Sequence, residues 1–84
     1  MRRRKRDRLQ MKIDVLKACR DGEIIMWICC KAHLTYSRAK EIVLELVKKG
    51  LLIRKDGTYY TTEKGEKAIA LYEQLQQILK EASE

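Results

Sequence analysis

The sequence predicts a mainly α-helical domain that carries a small β-hairpin and ends in a long helix. Three observations predict it. Apolar residues recur at helical spacing through the first half of the chain. The stretch KKGLLIRKDGTYYTTEKG, residues 48–65, reads as a helix end, a strand, a two-residue turn, a second strand and a new helix cap. A second set of apolar residues then repeats at three- and four-residue intervals to the end of the chain.

In the first helix, expected over 7–20, Leu9, Ile13, Leu16 and Cys19 are spaced as one buried stripe. Asp21-Gly22 ends it, with Gly22 suited to a left-handed position. The run EIIMWICCKAHL, 23–34, is too short and too uniformly apolar for periodicity to settle its type. It is read as an extended start over 23–25 and a short buried helix to Lys31, with Trp27 either core or a surface contact. Thr35 is a good N-cap for a helix running to Lys49. Tyr36, Ala39, Val43, Leu46 and Val47 are spaced for its inward face, with Ile42 beside it. Ser37, Arg38, Lys40, Glu41, Glu45 and Lys48 look outward. Glu41 and Glu45 are placed to accept from cytosine, to reject misplaced phosphates, or simply to pair with Arg38 and Lys48. The KAHLT connection has the length of a helix-turn-helix turn.

Asp56-Gly57 signals a type I′ hairpin loop. That loop sets Lys55 opposite Thr58, Arg54 opposite Tyr59, Ile53 opposite Tyr60 and Leu52 opposite Thr61. Alternation then puts Leu52, Arg54, Tyr59 and Thr61 on one face, and Ile53 with Tyr60 on the other. A two-stranded ribbon is marginal alone, so the first face is expected to close an edge of the core. Thr62 caps the last helix. Along it, Ala68, Leu71, Leu75, Ile78 and Ala82 form two heptads of an a/d seam. Ile69, Tyr72 and Leu79 widen the apolar surface into a second stripe. The preceding chain is too short to cover both, which predicts a homodimer joined through Ala68, Leu71, Tyr72, Leu75, Ile78 and Leu79.

Charge divides the chain in the same places. Residues 2–8 hold six basic side chains and one acidic; 9–62 hold ten basic and six acidic; 63–84 hold three basic and five acidic. The expected organisation is a basic arm (1–8), a domain body (9–62) and a terminal helix (63–84). Such asymmetry favours a polyanionic partner. Three cysteines, Cys19, Cys29 and Cys30, and one histidine, His33, do not make a metal-ligand pattern. The cysteines read as small packing residues in a reducing cytoplasm. Nothing in the sequence points to a cofactor. No paired nucleophile and base or glycine-rich phosphate loop is present, so an enzyme is not expected. No apolar run approaches the roughly 18 to 20 residues of a membrane span.

DVLKAC at 14–19, KAHLTYSRAKEIVLELVKKGLL at 31–52 and YYTTEKG at 59–65, in this order and spacing, resemble the small archaeal winged helix-turn-helix family that includes the ten-kilodalton dimeric DNA-binding proteins of Sulfolobus. The resemblance implies a winged helix-turn-helix with a C-terminal dimerisation helix, double-stranded DNA as partner and a place at the nucleoid. It implies that the helix after Thr35 enters the major groove, with Ser37, Arg38 and Lys40 in its DNA-facing half. Arg38 then suits a bidentate pair with guanine and Lys40 a base or phosphate. Arg54 and Lys55 in the wing would reach flanking backbone or minor groove. Arg2, Arg3, Arg4, Lys5, Arg6 and Arg8 would add salt-sensitive affinity. Two features depart from the family: the last helix is shorter, and Trp27 stands where a polar residue is usual. The competing reading is a protein-interaction module, supported by Trp27 and the Ile53/Tyr60 pair.

Overall fold

The computed structural model describes residues 7–82. Its elements run α1 (Arg8–Ala18), β1 (Glu23–Ile24), α2 (Ile25–Ala32), α3 (Tyr36–Lys48), β2 (Leu52–Lys55), β3 (Thr58–Thr61) and α4 (Glu63–Ala82). The mainly helical fold with a hairpin wing is the one expected. The basic arm, Arg2 to Arg6, lies outside the described residues.

Asp7 starts α1, its carboxylate accepting from Gln10 N at 2.8 Å. Ile13, Val15, Leu16 and Cys19 are buried, but Leu9 is exposed. The expected stripe thus loses its first member, because the first turn of α1 reaches past the core. The turn after α1 closes at Gly22, φ +92°, where a Cβ would stand 2.5 Å from the Tyr60 ring. Glycine is required there by both conformation and space.

The chain then enters β1, which pairs with β3: Glu23 lies opposite Tyr59 and Ile24 opposite Thr58. The sheet therefore has three antiparallel strands in the order β1-β3-β2, not the two expected. Two residues are too few to show alternation, yet they cover the free edge of β3 and relieve the weakness of an isolated hairpin. α2 runs one residue beyond the expected end, and His33, φ 56°, closes it in the left-handed region. Trp27 is 57% exposed, so the core reading fails for it. Cys19 is buried, Cys29 half-buried and Cys30 exposed; Cys30 is therefore not the packing residue it was expected to be. Burial pushes the Cys19 thiol up to about 12, which keeps it protonated and inert.

In α3, the Thr35 hydroxyl accepts from Arg38 N at 3.2 Å. Ala39, Ile42, Val43 and Leu46 are buried, whereas Tyr36 is exposed rather than inward. Asp56 and Gly57 take φ 49° and 80°, and the β2–β3 register matches the four expected pairs. Leu52 is buried and Tyr59 packs against the core. Threonines tie the hairpin to the helices. Thr61 Oγ1 donates to Leu16 O at 2.6 Å and Thr62 Oγ1 to Gly50 O at 2.7 Å. Thr62 also accepts from Gly65 N, capping α4. Ile69 completes the core, with Ala68 and Tyr72 packed beside it. Among the described residues no helix is long and apolar enough to cross a membrane.

Candidate nucleic-acid interface

α3 buries one side and offers the other to solvent. At about 100° per residue, Ser37, Glu41, Leu44 and Lys48 align along the exposed side. Lys40 and Arg38 fall on opposite flanks, about 200° apart around the axis. Ser37, Arg38 and Lys40 are all exposed.

The Lys40 flank faces the wing. A cleft of about 250 Å³ lies there, lined by Tyr36, Lys40 and Leu44 of α3, Ile25 of α2, and Arg54 and Tyr59 of the hairpin. Each cation sits over a ring: Lys40 Nζ is 5.7 Å from the Tyr36 centroid and Arg54 Cζ is 5.9 Å from that of Tyr59. Such contacts hold a cation in place without neutralising it. Lys40 and Arg54, far apart in sequence, are thus brought to one opening. Lys55 is not: next to Arg54 in a strand, it projects from the opposite face of the sheet. Tyr36 has the spacing of an inward residue, which hides its role as a partner of Lys40, although its position four residues earlier on the same helix is a usable signal.

The Arg38 flank faces α1. Arg38 Nε lies 3.8 Å from Glu41 Oε1, a loose exposed pair that leaves the guanidinium available. One turn beyond Glu41, Glu45 gathers three cations. Lys12 Nζ and Lys49 Nζ are each 3.0 Å from its Oε2, and Arg8 Nη2 is 3.7 Å from Oε1. The expected partner, Lys48, is not among them, because Lys48 lies on the outward face while Lys49 turns back toward α1. Hydrogen bonds from Lys12 and then Lys49 hold the Glu45 carboxyl down at about 2. Arg8 was legible only as the end of the basic arm and Lys12 carried no signal in the sequence, since their meeting with Glu45 depends on how two helices pack.

On α4, Leu71, Leu75, Ile78 and Leu79 are exposed, between 49% and 59%. Ala68 and Tyr72, placed with them in the expected dimer surface, are partly taken up by the chain's own core. The Tyr72 hydroxyl donates to Gln10 Oε1, which ties that ring to α1.

Residues 5–80 match the family model described as winged helix-turn-helix. The chain belongs to this family. Among solved structures, it is similar to that of Sso10a-2, described as a DNA-binding protein from Sulfolobus solfataricus. The two share 24% identity over 93% of this chain and 86% of that chain, with a TM-score of 0.80. At that identity the likeness speaks for the fold. No curated protein sequence matches significantly. The winged helix-turn-helix architecture expected from the residue order is therefore the architecture found.

Proposed function

We propose that this winged helix-turn-helix protein binds double-stranded DNA, as a transcriptional regulator or a chromatin-like architectural protein, and that it acts without catalysis or cofactor. The observation that carries the reading is the cleft where Lys40 of α3 and Arg54 of the wing face one opening, each over a tyrosine ring. With α3 in a major groove, Ser37 and Arg38 meet base edges, Lys40 and Arg54 meet one backbone, and Lys55, on the other face of the wing, is left for a flanking phosphate. Arg2, Arg3, Arg4, Lys5 and Arg6 add affinity through counterion release. The likeness to a structure described as a DNA-binding protein supports the same partner. A homodimer through Leu71, Leu75, Ile78 and Leu79, flanked by Ala68 and Tyr72, would present two α3 helices at once. A cytoplasmic, nucleoid-associated location goes with this role.

Fluorescence-anisotropy titrations against a selected site and a random duplex, over several salt concentrations, test the reading. Deleting residues 2–6 is expected to weaken binding to both duplexes and to flatten the salt dependence. Arg38→Ala is expected to cost about 1–3 kcal/mol of discrimination between them if it reads a base edge. Equal losses on both duplexes would make Arg38 a phosphate contact and favour the architectural role. A second reading, a protein-interaction module, is favoured by the exposure of Met26, Trp27, Ile53 and Tyr60. It becomes the better one if the intact protein binds no duplex at low salt.

A further inference from the structure

The flank of α3 opposite the wing carries three cations on a single carboxylate. Arg8 and Lys12 come from one side of α1 and Lys49 from the end of α3, all within 3.7 Å of Glu45. The cluster is unbalanced, with two positive charges in excess. We propose that Arg8, Lys12 and Lys49 form a seat for one backbone phosphate of bound nucleic acid, and that Glu45 fills this seat in the free protein.

A phosphodiester presents two anionic oxygens, as a carboxylate does, and accepts the same charge-assisted hydrogen bonds. The cluster is also where a phosphate is needed. The major groove is roughly 12 Å wide, so a helix lying in it has a strand along each flank. Lys40 and Arg54 serve the strand on the wing side, and the cluster supplies cations on the side of the other. The five basic residues at 2–6 join the chain immediately before Asp7, which caps the helix carrying Arg8 and Lys12. Arm and seat are therefore continuous. Exchange is easy because the pairs are partly solvated, with 60% of the Lys49 side chain exposed. Glu45 acts as a built-in counterion: a phosphate entering the seat displaces a carboxylate instead of releasing salt ions. This proposal rests on the nucleic-acid reading and adds to it a second contact line with its own internal competitor.

The test compares Glu45→Gln with Glu41→Gln, each removing one negative charge from α3, by anisotropy on a labelled random 20-base-pair duplex. Glu45→Gln is expected to tighten binding at low salt several-fold more than Glu41→Gln does, and to steepen the log–log salt slope by about 0.9, the share of one phosphate. Adding Lys12→Gln and Lys49→Gln to Glu45→Gln is expected to abolish the gain. Equal gains from the two glutamine variants, or a gain that survives the loss of both lysines, would overturn the proposal. Thermal melts check that the variants fold. If Glu45→Gln does not fold, Lys49→Gln against Lys48→Gln decides: the seat requires the larger loss at Lys49, and equal losses refute it. Sodium tripolyphosphate followed by NMR separates this idea from the DNA reading. Shifts at Arg8, Lys12 and Lys49, larger in Glu45→Gln than in the unchanged protein, uphold the seat even if no duplex binds. Their absence sinks it.

Discussion

The two halves of α4 carry apolar residues at the same spacing and meet opposite fates. In the first half, Gly65 and Ile69 are buried and Ala68 and Tyr72 pack on the core. In the second, from Glu73 onward, every described residue is exposed, Leu75, Ile78 and Leu79 among them. The cause is length. α1, the helix that α4 lies against, has 11 residues and α4 has 20, or about 16 Å against 30 Å. The two run antiparallel: Arg20 meets Glu66, while Gln10 near the start of α1 meets Tyr72. Beyond that level α1 has ended, and α4 continues unsupported. Helical periodicity records that a stripe exists; the length of the neighbouring helix decides how much of it the monomer can cover.

The largest expected effects separate the two halves directly. Ile69→Ala is expected to destabilise the monomer by about 2–5 kcal/mol, as for other buried aliphatic truncations. Leu75→Ala is expected to stay within about 0.5 kcal/mol in the monomer. Urea unfolding at low protein concentration measures both, and comparable losses would erase the distinction. Replacing Leu75 and Ile78 together with aspartate is expected to leave that monomer folded and abolish the proposed dimer, by placing like charges in a buried seam. Sedimentation equilibrium decides; unchanged protein that remains monomeric at high-micromolar concentration removes the dimer altogether.

Next in size is the tightest approach of the first half. A Cβ at Gly65 would stand 2.5 Å from Leu51 O and 2.6 Å from Thr61 Cγ2. Alanine is the better helix former, but here it pushes against backbone. Gly65→Ala is therefore expected to destabilise by about 1–3 kcal/mol, the usual cost of overpacking. A gain in the unfolding midpoint would show that α4 can shift away from the hairpin. Thr61→Val is expected to cost less, about 0.5–1.5 kcal/mol for one intramolecular hydrogen bond. Leu16 O, which loses its hydroxyl partner, still accepts from Cys19 N at 3.2 Å and is not orphaned. A loss above that range would mean that Thr61 holds the hairpin to α1 through more than this bond.

The hairpin was legible residue by residue because Asp56-Gly57 fixes both the turn and the register, and turn chemistry is local. The caps at Thr35 and Thr62 were legible for the same reason. Leu9 and Tyr36 had the spacing of buried residues yet lie exposed, since spacing does not say where the body of the domain ends. β1 was read as extended, but its pairing with β3 needed the folded hairpin to supply an edge. At the candidate interface, the exposure of Ser37, Arg38 and Lys40 followed from the helix pattern. The meeting of Lys40 with Arg54, and of Glu45 with Arg8 and Lys12, did not; those pairs arise from packing between distant elements.

The smallest expected effect concerns pH and sets the ion cluster of the body against the pair at the middle of α4. Glu45 is held at about 2, below its ordinary 4.5, by Lys12 and Lys49. Glu73, where α4 leaves its support, is also lowered, by the hydrogen bond from Lys17 at 2.9 Å. A carboxyl whose folded value lies below its unfolded one stabilises fully above the unfolded value. That contribution is lost as the pH falls through the folded one. Stability is therefore expected to decline between pH 4.5 and about 2. Thermal midpoints across that window are expected to show a flatter pH dependence for Glu45→Gln than for the unchanged protein. Glu73→Gln should flatten it less, because one hydrogen-bonded lysine holds that carboxylate where two hold the other. Parallel curves for all three proteins would mean that the cluster at Glu45 adds nothing to the stability of the fold.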